Sequence, residues 1–386
     1  MRRRPRARRA DAGGGRRRRR PVTGPGPLGA LLGRCDVVIC VGTGGVGKTS
    51  TAAALGVAAA EAGRRVVVVT IDPARRLADA IGTGRLSNSP SPIPGPWPGT
   101  LDAVALDATA AFDDLVRRRA RDAAQAERIL TNRFYRAIAS GIGGTQEYMA
   151  VELLAELHSS GRWDLVVVDT PPSANALDAF DAPDRLRRFL DHRVYRALTA
   201  SGSGIGRVVG RTAHGVVRAA GRVAGGEVVD DAIAFFTAFD GMEDEFRRRA
   251  REVTELLRAQ TTGFVLVTAP RADTVAEARR VVDALAGRRL RIDVIAANRM
   301  TPRFTGRAAG SLEGDDPGLR TLARLTARRE AEEALLVGLA ERAVDTPVVA
   351  LPLLDRDVTD VDTLAELGRL AVAAPSIADG HAGPVA

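Results

Sequence analysis

The chain has 386 residues, 45% of them apolar, enough for one large α/β domain or two small ones with a sizeable core. No apolar run reaches about 18 residues, and the charged start lacks an adequate apolar h-region, so neither a membrane-spanning helix nor a secretion signal is predicted. The formal net charge is +9, but residues 1–34 hold twelve arginines against one aspartate, which leaves the remaining body slightly acidic and without evident charge for nucleic acid.

Residues 1–34, rich in Arg, Gly and Pro, cannot bury a core by composition and read as a disordered tail, either inert or an over-long start. Cys35 and Cys40 flank the first predicted strand, Asp36–Val41. Their parity differs, which predicts opposite faces, no disulfide between them and a reducing cytoplasm. The strand ends in Gly42-Thr43-Gly44-Gly45-Val46-Gly47-Lys48-Thr49, and an Ala-rich helix runs from there to about Ala62, with Gly63 as a natural C-cap. Gly-x-x-x-x-Gly-Lys-Thr between a strand and a helix is a phosphate-binding P-loop. The glycines let successive backbone N–H groups face one anion, and the helix adds its positive N-terminal end. Lys48 supplies a point charge to the outer phosphates, and the Thr49 hydroxyl suits Mg²⁺.

Further along, Arg65–Ile71 is a continuous β-branched run of the kind found in buried parallel strands. It leads into Asp72-Pro73-Ala74-Arg75-Arg76. The Pro-dense Ser87–Pro98 excludes helix and central strand. Leu101–Leu106 reads as a strand, Asp107 as the cap of the next helix, and Arg121–Ala139 as a second helix. Gly141–Gly144 break the pattern before Gln146–His158 resumes it. Asp164–Val168 is a further buried strand, ending at Asp169, and Pro183–Leu190 reads as a helix. Ile205–Val223 shows a basic amphipathic period interrupted by glycines, either a helix packed on its own domain or one meeting a membrane or partner. Asp231–Leu257 is a long helical stretch. The strands Gly263–Thr268, Arg291–Ala296 and Val348–Leu351 alternate with helices at Thr274–Ala286, Leu319–Arg342 and Val361–Ala373. This alternation predicts an α/β fold, a mainly parallel sheet covered by helices on both faces. Insertions near 107–160 and 193–258 are expected to build a helical lobe above the nucleotide edge, on one domain spanning 35–375 with a flexible end at 376–386. Asp72 and Asp169 each follow a buried strand on the P-loop edge, where ligands of open sheets bind. Either aspartate alone also reads as a cap; together with a P-loop they suit water activation and the Mg²⁺ shell.

These motifs resemble a known group. Gly44-Gly45-Val46-Gly47-Lys48-Thr49 is similar to the variant P-loop of the dimerising ATPases that include MinD, ParA, the arsenical pump ATPase and the Get3 targeting factor. Thr70–Gly82 resembles the group's switch I, Val166–Ser173 its switch II, and Leu351–Gly368 the segment closing over the base. With every motif in order from about 35 to 373, the chain is identified as a member of the arsenical pump ATPase/Get3 group, in its single-P-loop branch. The resemblance implies a P-loop NTPase fold and an ATP hydrolase using Mg²⁺. It implies that Gly42, Thr43, Gly44, Gly45, Val46, Gly47, Lys48, Thr49 and Ser50 hold the phosphates. Thr49 would bind Mg²⁺ directly and Asp169 through water, Asp72 would polarise the attacking water with Lys48 also catalytic, and Asn298, Pro352 and Leu353 would take the adenine. Asn298 is followed by Arg-Met-Thr, not the Lys-x-Asp of a guanine reader, which favours ATP over GTP.

The departures from the group matter as much. Thr43 stands where the group places a signature lysine that reaches the partner's phosphates, Arg75 replaces the switch I histidine, switch II lacks its Gly-His, and Arg271 replaces a common glutamate. No Cys-x-x-Cys pair exists, so the subunit-bridging zinc is not expected, and the cysteine triad of an arsenite site cannot be built from Cys35 and Cys40. The expected function is an ATP-driven dimeric switch, as a homodimer or a heterodimer with a lysine-bearing paralogue, whose helical lobe meets an apolar client or protein. A membrane- or DNA-positioning ATPase and a weakly active ATP-binding subunit are the competing readings. Peripheral membrane contact is compatible with the first two.

Overall fold

In the computed structural model the protein is described over residues 26–72, 76–139, 145–191, 243–312 and 314–378, together with 231, 234, 235 and 238. Eight strands form one sheet: β1 (Val37–Gly42), β2 (Arg65–Thr70), β3 (Ser91–Pro92), β4 (Thr100–Ala105), β5 (Leu165–Asp169), β6 (Thr262–Thr268), β7 (Val294–Met300) and β8 (Val348–Pro352). Their order is β3-β4-β2-β5-β1-β6-β7-β8. All neighbours pair in parallel except the edge strand β3, which runs antiparallel to β4. The α/β expectation therefore holds. Pro92 sits where a missing N–H is harmless, on the edge.

The central strands are buried along their whole length, because a parallel sheet wrapped on both faces offers no solvent side. Alternate residues feed two apolar layers. Val37, Ile39 and Val41 pack into one layer, with Phe112, Met149 and Leu257. Val38 and Cys40 pack into the other, against the Ala-rich helix α2 (Lys48–Glu61). Cys35 and Cys40 are both free and buried. They share one layer, contrary to the parity argument, because Cys35 precedes the strand and has no pleat to obey.

The N-terminal boundary also shifts. Residues expected to belong to the tail form helix α1 (Pro27–Arg34), with Leu28, Leu31 and Leu32 buried. The i, i+3, i+4 spacing of these leucines makes a short apolar face that the arginines before it obscure. Buried Arg64 ties the helix to the sheet by donating to the carbonyls of Leu32, Cys35 and Asp164. At the other end Ser376, expected to be flexible, bridges Val349, and the Ile377 amide donates to Val348 O at 2.7 Å.

Between β2 and β5 lie α3 (Arg76–Ile81), α4 (Ala108–Arg119), α5 (Ala123–Leu130), α6 (Arg133–Ala139) and α7 (Thr145–Ser159). Asp107 caps α4 by accepting from the Ala110 amide, as expected. The stretch Arg121–Ala139 is two helices, not one. Asn132 Oδ1 accepts from the amides of Phe134 and Tyr135, an N-cap that starts α6. Helix α8 (Ser173–Asp191) begins ten residues before the position expected from Pro183 and runs through that proline. Buried Ala179 and Ala182 and the Phe180–Phe264 edge contact at 5.6 Å hold it on the sheet despite the lost N–H. Helices α9 (Glu243–Arg258), α10 (Ala272–Gly287), α11 (Pro317–Ala340) and α12 (Val361–Ala373), with a 3₁₀ turn at Ala309–Ser311, complete the described elements.

Strand β7 is offset from its expected position, Arg291–Ala296, by several residues, so Asn298 lies within it rather than after it. The polar pair Asn298-Arg299 reads as loop in sequence, but β8 pairs alongside as far as Met300↔Pro352. Ile205–Val223, Gly141–Gly144, Ser201–Gly206, Arg75 and residues 1–25 lie outside the described residues. Among the described residues, no helix is long and apolar enough to cross a membrane.

Candidate nucleotide site

The carboxyl ends of β1, β2, β5 and β6 converge around the Gly-rich loop. Asp169 is level with Cys40 on β1 and with Thr70 on β2, and Gly42 is level with Val267. Glycine at 42 is obligatory, since its φ is +151° and a Cβ would stand 2.1 Å from Val267 O. Gly47, the N-cap of α2, has φ +88°, and its Cβ would meet Asn298 Nδ2 at 2.3 Å. These constraints leave the loop's amides at the N-terminus of a fourteen-residue helix, an anion site by geometry and dipole together.

Lys48 is buried, and its Nζ donates to Thr43 O at 2.7 Å across the loop. Burial lowers its pKa, with Asp169 and Asp72 opposing the shift. An ammonium held on a backbone carbonyl rather than on a carboxylate is ready to be exchanged onto a phosphate. Thr49 Oγ1 donates to Asp169 Oδ2 at 2.7 Å, and Thr70 Oγ1 donates to the same oxygen at 3.0 Å. Burial pushes the Asp169 carboxyl up to about 6, against the two hydroxyl donors and Lys48. Its other oxygen, Oδ1, is buried with no partner. A hydroxyl, a carboxylate and an unsatisfied buried oxygen fit a hydrated Mg²⁺, which takes oxygen ligands and keeps several waters. Thr70 is a member of this group to which sequence reasoning assigns no role of its own; its signals are its place at the head of the switch I resemblance and a hydroxyl closing a Val-rich strand.

Asp72 lies two residues beyond β2, mostly buried. Its amide donates to Thr70 Oγ1 at 3.3 Å, and its carboxylate pairs with Arg76 at 3.5 Å. The structure thus gathers Lys48, Thr49, Asp72 and Asp169 on one edge. Thr43 is only 1% exposed, and its hydroxyl is buried without a partner. Gly44 and Gly45 are exposed, while Thr49 and Ser50 are half-buried on the first turn of α2. Arg271 lines the cleft beside Gly44 and Gly45, with its guanidinium paired to Asp273 at 2.5 Å.

Asn298 is buried, its Nδ2 donates to Val46 O at 2.9 Å, and its Oδ1 accepts from the Arg299 amide. Arg299, also missed in the sequence, donates from a terminal guanidinium nitrogen to Gly45 O at 3.1 Å. Half-exposed Leu353 follows β8, its amide donating to Met300 O, and Pro352 ends that strand beside it. A cleft of about 250 Å³ runs from Gly44 and Gly45 past Arg299 to Leu353.

Comparison with known proteins bears on this arrangement. Residues 35–372 match the family model described as anion-transporting ATPase. The chain is similar to the ATPase ARSA2 of Chlamydomonas reinhardtii, 27% identical over 84% of this chain and 80% of that protein. It is similar to the ATPase get3 of Aspergillus terreus, 23% identical over 86% of this chain and 88% of that one. It also matches Protein Rv2184c of Mycobacterium tuberculosis, 34% identical over 38% of this chain and 37% of the other.

Proposed function

From the chain's membership of the anion-transporting ATPase family, to which it belongs across residues 35–372, we propose that it is a Mg²⁺-dependent ATP hydrolase acting as a nucleotide-driven dimeric switch. The observation that carries this reading is the convergence of Lys48, Thr49 and Asp169 at the carboxyl edge of β1 and β5, with Thr49 bonded to Asp169 at 2.7 Å. The loop amides of 44–49 and Ser50 would receive the phosphates, and Lys48 would leave Thr43 O for an outer phosphate oxygen. Bound Mg²⁺ would neutralise charge on the outer phosphates, held by Thr49 and, through water, by Asp169. Asp72, released from Arg76, would orient the attacking water and accept its hydrogen bond. Pro352 and Leu353 would cover the adenine. Asn298 has one amide hydrogen on the loop and a second for the base.

A second reading follows from Thr43. Its side chain is buried and uncharged, so it offers nothing to a facing subunit. The working unit is then a heterodimer, with the cation supplied by a lysine-bearing paralogue. Alternatively an arginine after β2, Arg75 or Arg76, supplies it. We place the protein in the cytoplasm, with an apolar client or protein partner at the helical lobe and peripheral membrane contact as one use of it. Phosphate release from the purified chain in Mg·ATP, alone and with a paralogue, tests the proposal. No release in either case would remove it.

A further inference from the structure

Consecutive residues of a strand point to opposite faces, yet Asn298 and Arg299 both reach the same loop. Two backbone features permit this. The β7–β8 register shifts between Ala297 and Met300, an irregularity that re-aims side chains. Arg299 itself has φ +60°, a left-handed conformation disfavoured for any side-chain-bearing residue. Such a conformation persists only where its surroundings enforce it. They do so here: just beyond, the Thr301 amide and hydroxyl both donate to the Glu332 carboxylate at 2.7 and 2.8 Å, anchoring the strand end to α11.

The bonds formed are adjacent ones, Arg299 to Gly45 O at 3.1 Å and Asn298 to Val46 O at 2.9 Å. In a trans peptide the carbonyl and the following N–H point in opposite directions. Holding the carbonyls of 45 and 46 from the β7 side therefore fixes the N–H groups of Val46 and Gly47 towards the other side, the anion cradle. We propose that Arg299, with Asn298, is a positioning residue that orients the P-loop amides before any phosphate arrives. The inference rests on the reading of this loop as a triphosphate site, and it assigns Arg299 to the loop rather than to the base.

The test is Arg299→Gly, because glycine accepts φ +60° and removes the guanidinium without straining the backbone. Titration calorimetry with Mg·ATP and with base-free Mg·tripolyphosphate is expected to show both affinities falling together, by about 10- to 100-fold. Amide exchange at Val46 and Gly47 in the ligand-free protein should rise, and Arg299→Lys should restore part of both effects at an unchanged unfolding midpoint. A loss for Mg·ATP alone places Arg299 on the nucleoside and overturns the proposal. A joint loss of affinity with unchanged exchange means direct phosphate contact and overturns it equally, as does no change at all. If the wild-type chain binds neither ligand, the triphosphate reading itself fails, and the positioning role with it.

Discussion

Thr49 and Asp169, 120 residues apart in the chain, meet through a 2.7 Å hydrogen bond from the Thr49 hydroxyl to Asp169 Oδ2. Thr70 donates to the same oxygen, while Oδ1 stays buried without a partner. One edge of the carboxylate is thus fully engaged and the other is costly to keep dry. A site that is unsatisfied without its ligand is less stable without its ligand, and this relationship sets the first prediction.

Burial raises the Asp169 carboxyl from an ordinary 3.8 to about 6. The folded state therefore holds this proton more tightly than the unfolded chain, so ionisation opposes folding. The cost is absent below pH 4, grows between about 4 and 6, and is complete above that, on the order of 3 kcal/mol. Asp169→Asn should raise the ligand-free denaturation midpoint at pH 8, with the gain shrinking towards pH 4, while Mg²⁺-dependent ATP turnover is lost. A variant less stable than wild type at pH 8 would contradict this balance.

Asp72 is assigned to water rather than to phosphate. Asp72→Asn should leave Mg·ATP affinity close to wild type and reduce turnover by roughly 10²- to 10⁴-fold. Combined loss of binding and turnover would move Asp72 to the metal or to the fold. The Arg76 partner at 3.5 Å makes a useful companion, since Arg76→Ala removes this ion pair without deleting the carboxylate.

Gly47 tests the packing of the loop on β7. Its φ of +88° and the 2.3 Å separation that an added methyl would have from Asn298 Nδ2 mean that Gly47→Ala must displace either the loop or the amide. Stability should fall by about 1–3 kcal/mol, and Mg·ATP affinity should fall with it. Gly33→Ala is the opposite case: it sits in α1 with nothing within 4 Å of the added carbon. That substitution should stabilise by roughly 0.5–1 kcal/mol through helix propensity, as an equilibrium denaturation curve would register.

Thr43 predicts a slow enzyme in isolation. By analogy with arginine fingers, a cation supplied across an interface contributes roughly 10³–10⁵ in rate, or about 4–7 kcal/mol. Thr43, buried and uncharged, supplies none. The purified chain should bind Mg·ATP yet turn it over slowly, and Thr43→Lys should change the rate or the self-association. Brisk turnover by the chain alone, unaffected by Arg75→Ala and Arg76→Ala, would exclude both proposed sources of the cation.

The sheet was legible because buried parallel strands need long apolar, β-branched runs, and Val37–Val41, Arg65–Thr70 and Leu165–Val168 have them. The convergence of Lys48, Thr49, Asp72 and Asp169 was legible for a related reason, since strand ends in such sheets share one edge. Helix α1 was hidden because three leucines make a weak period beside an arginine-rich leader. The start of α8 was misplaced because Pro183 resembles an N-terminal proline, and only tertiary packing keeps it inside a helix. The hold of Asn298 and Arg299 on the loop was not readable at all. It depends on a register shift and a positive φ, which residue types alone do not encode at this place.

The most direct test of the nucleotide assignment is a calorimetric titration of Mg·ATP and Mg·GTP into the wild-type chain and into Lys48→Ala. Wild type should bind Mg·ATP more tightly than Mg·GTP, and the variant should lose both, because Lys48, held on Thr43 O, is the cation proposed to meet the phosphates. Equal affinity for the two nucleotides, or binding of Mg·ATP that survives Lys48→Ala, would contradict it.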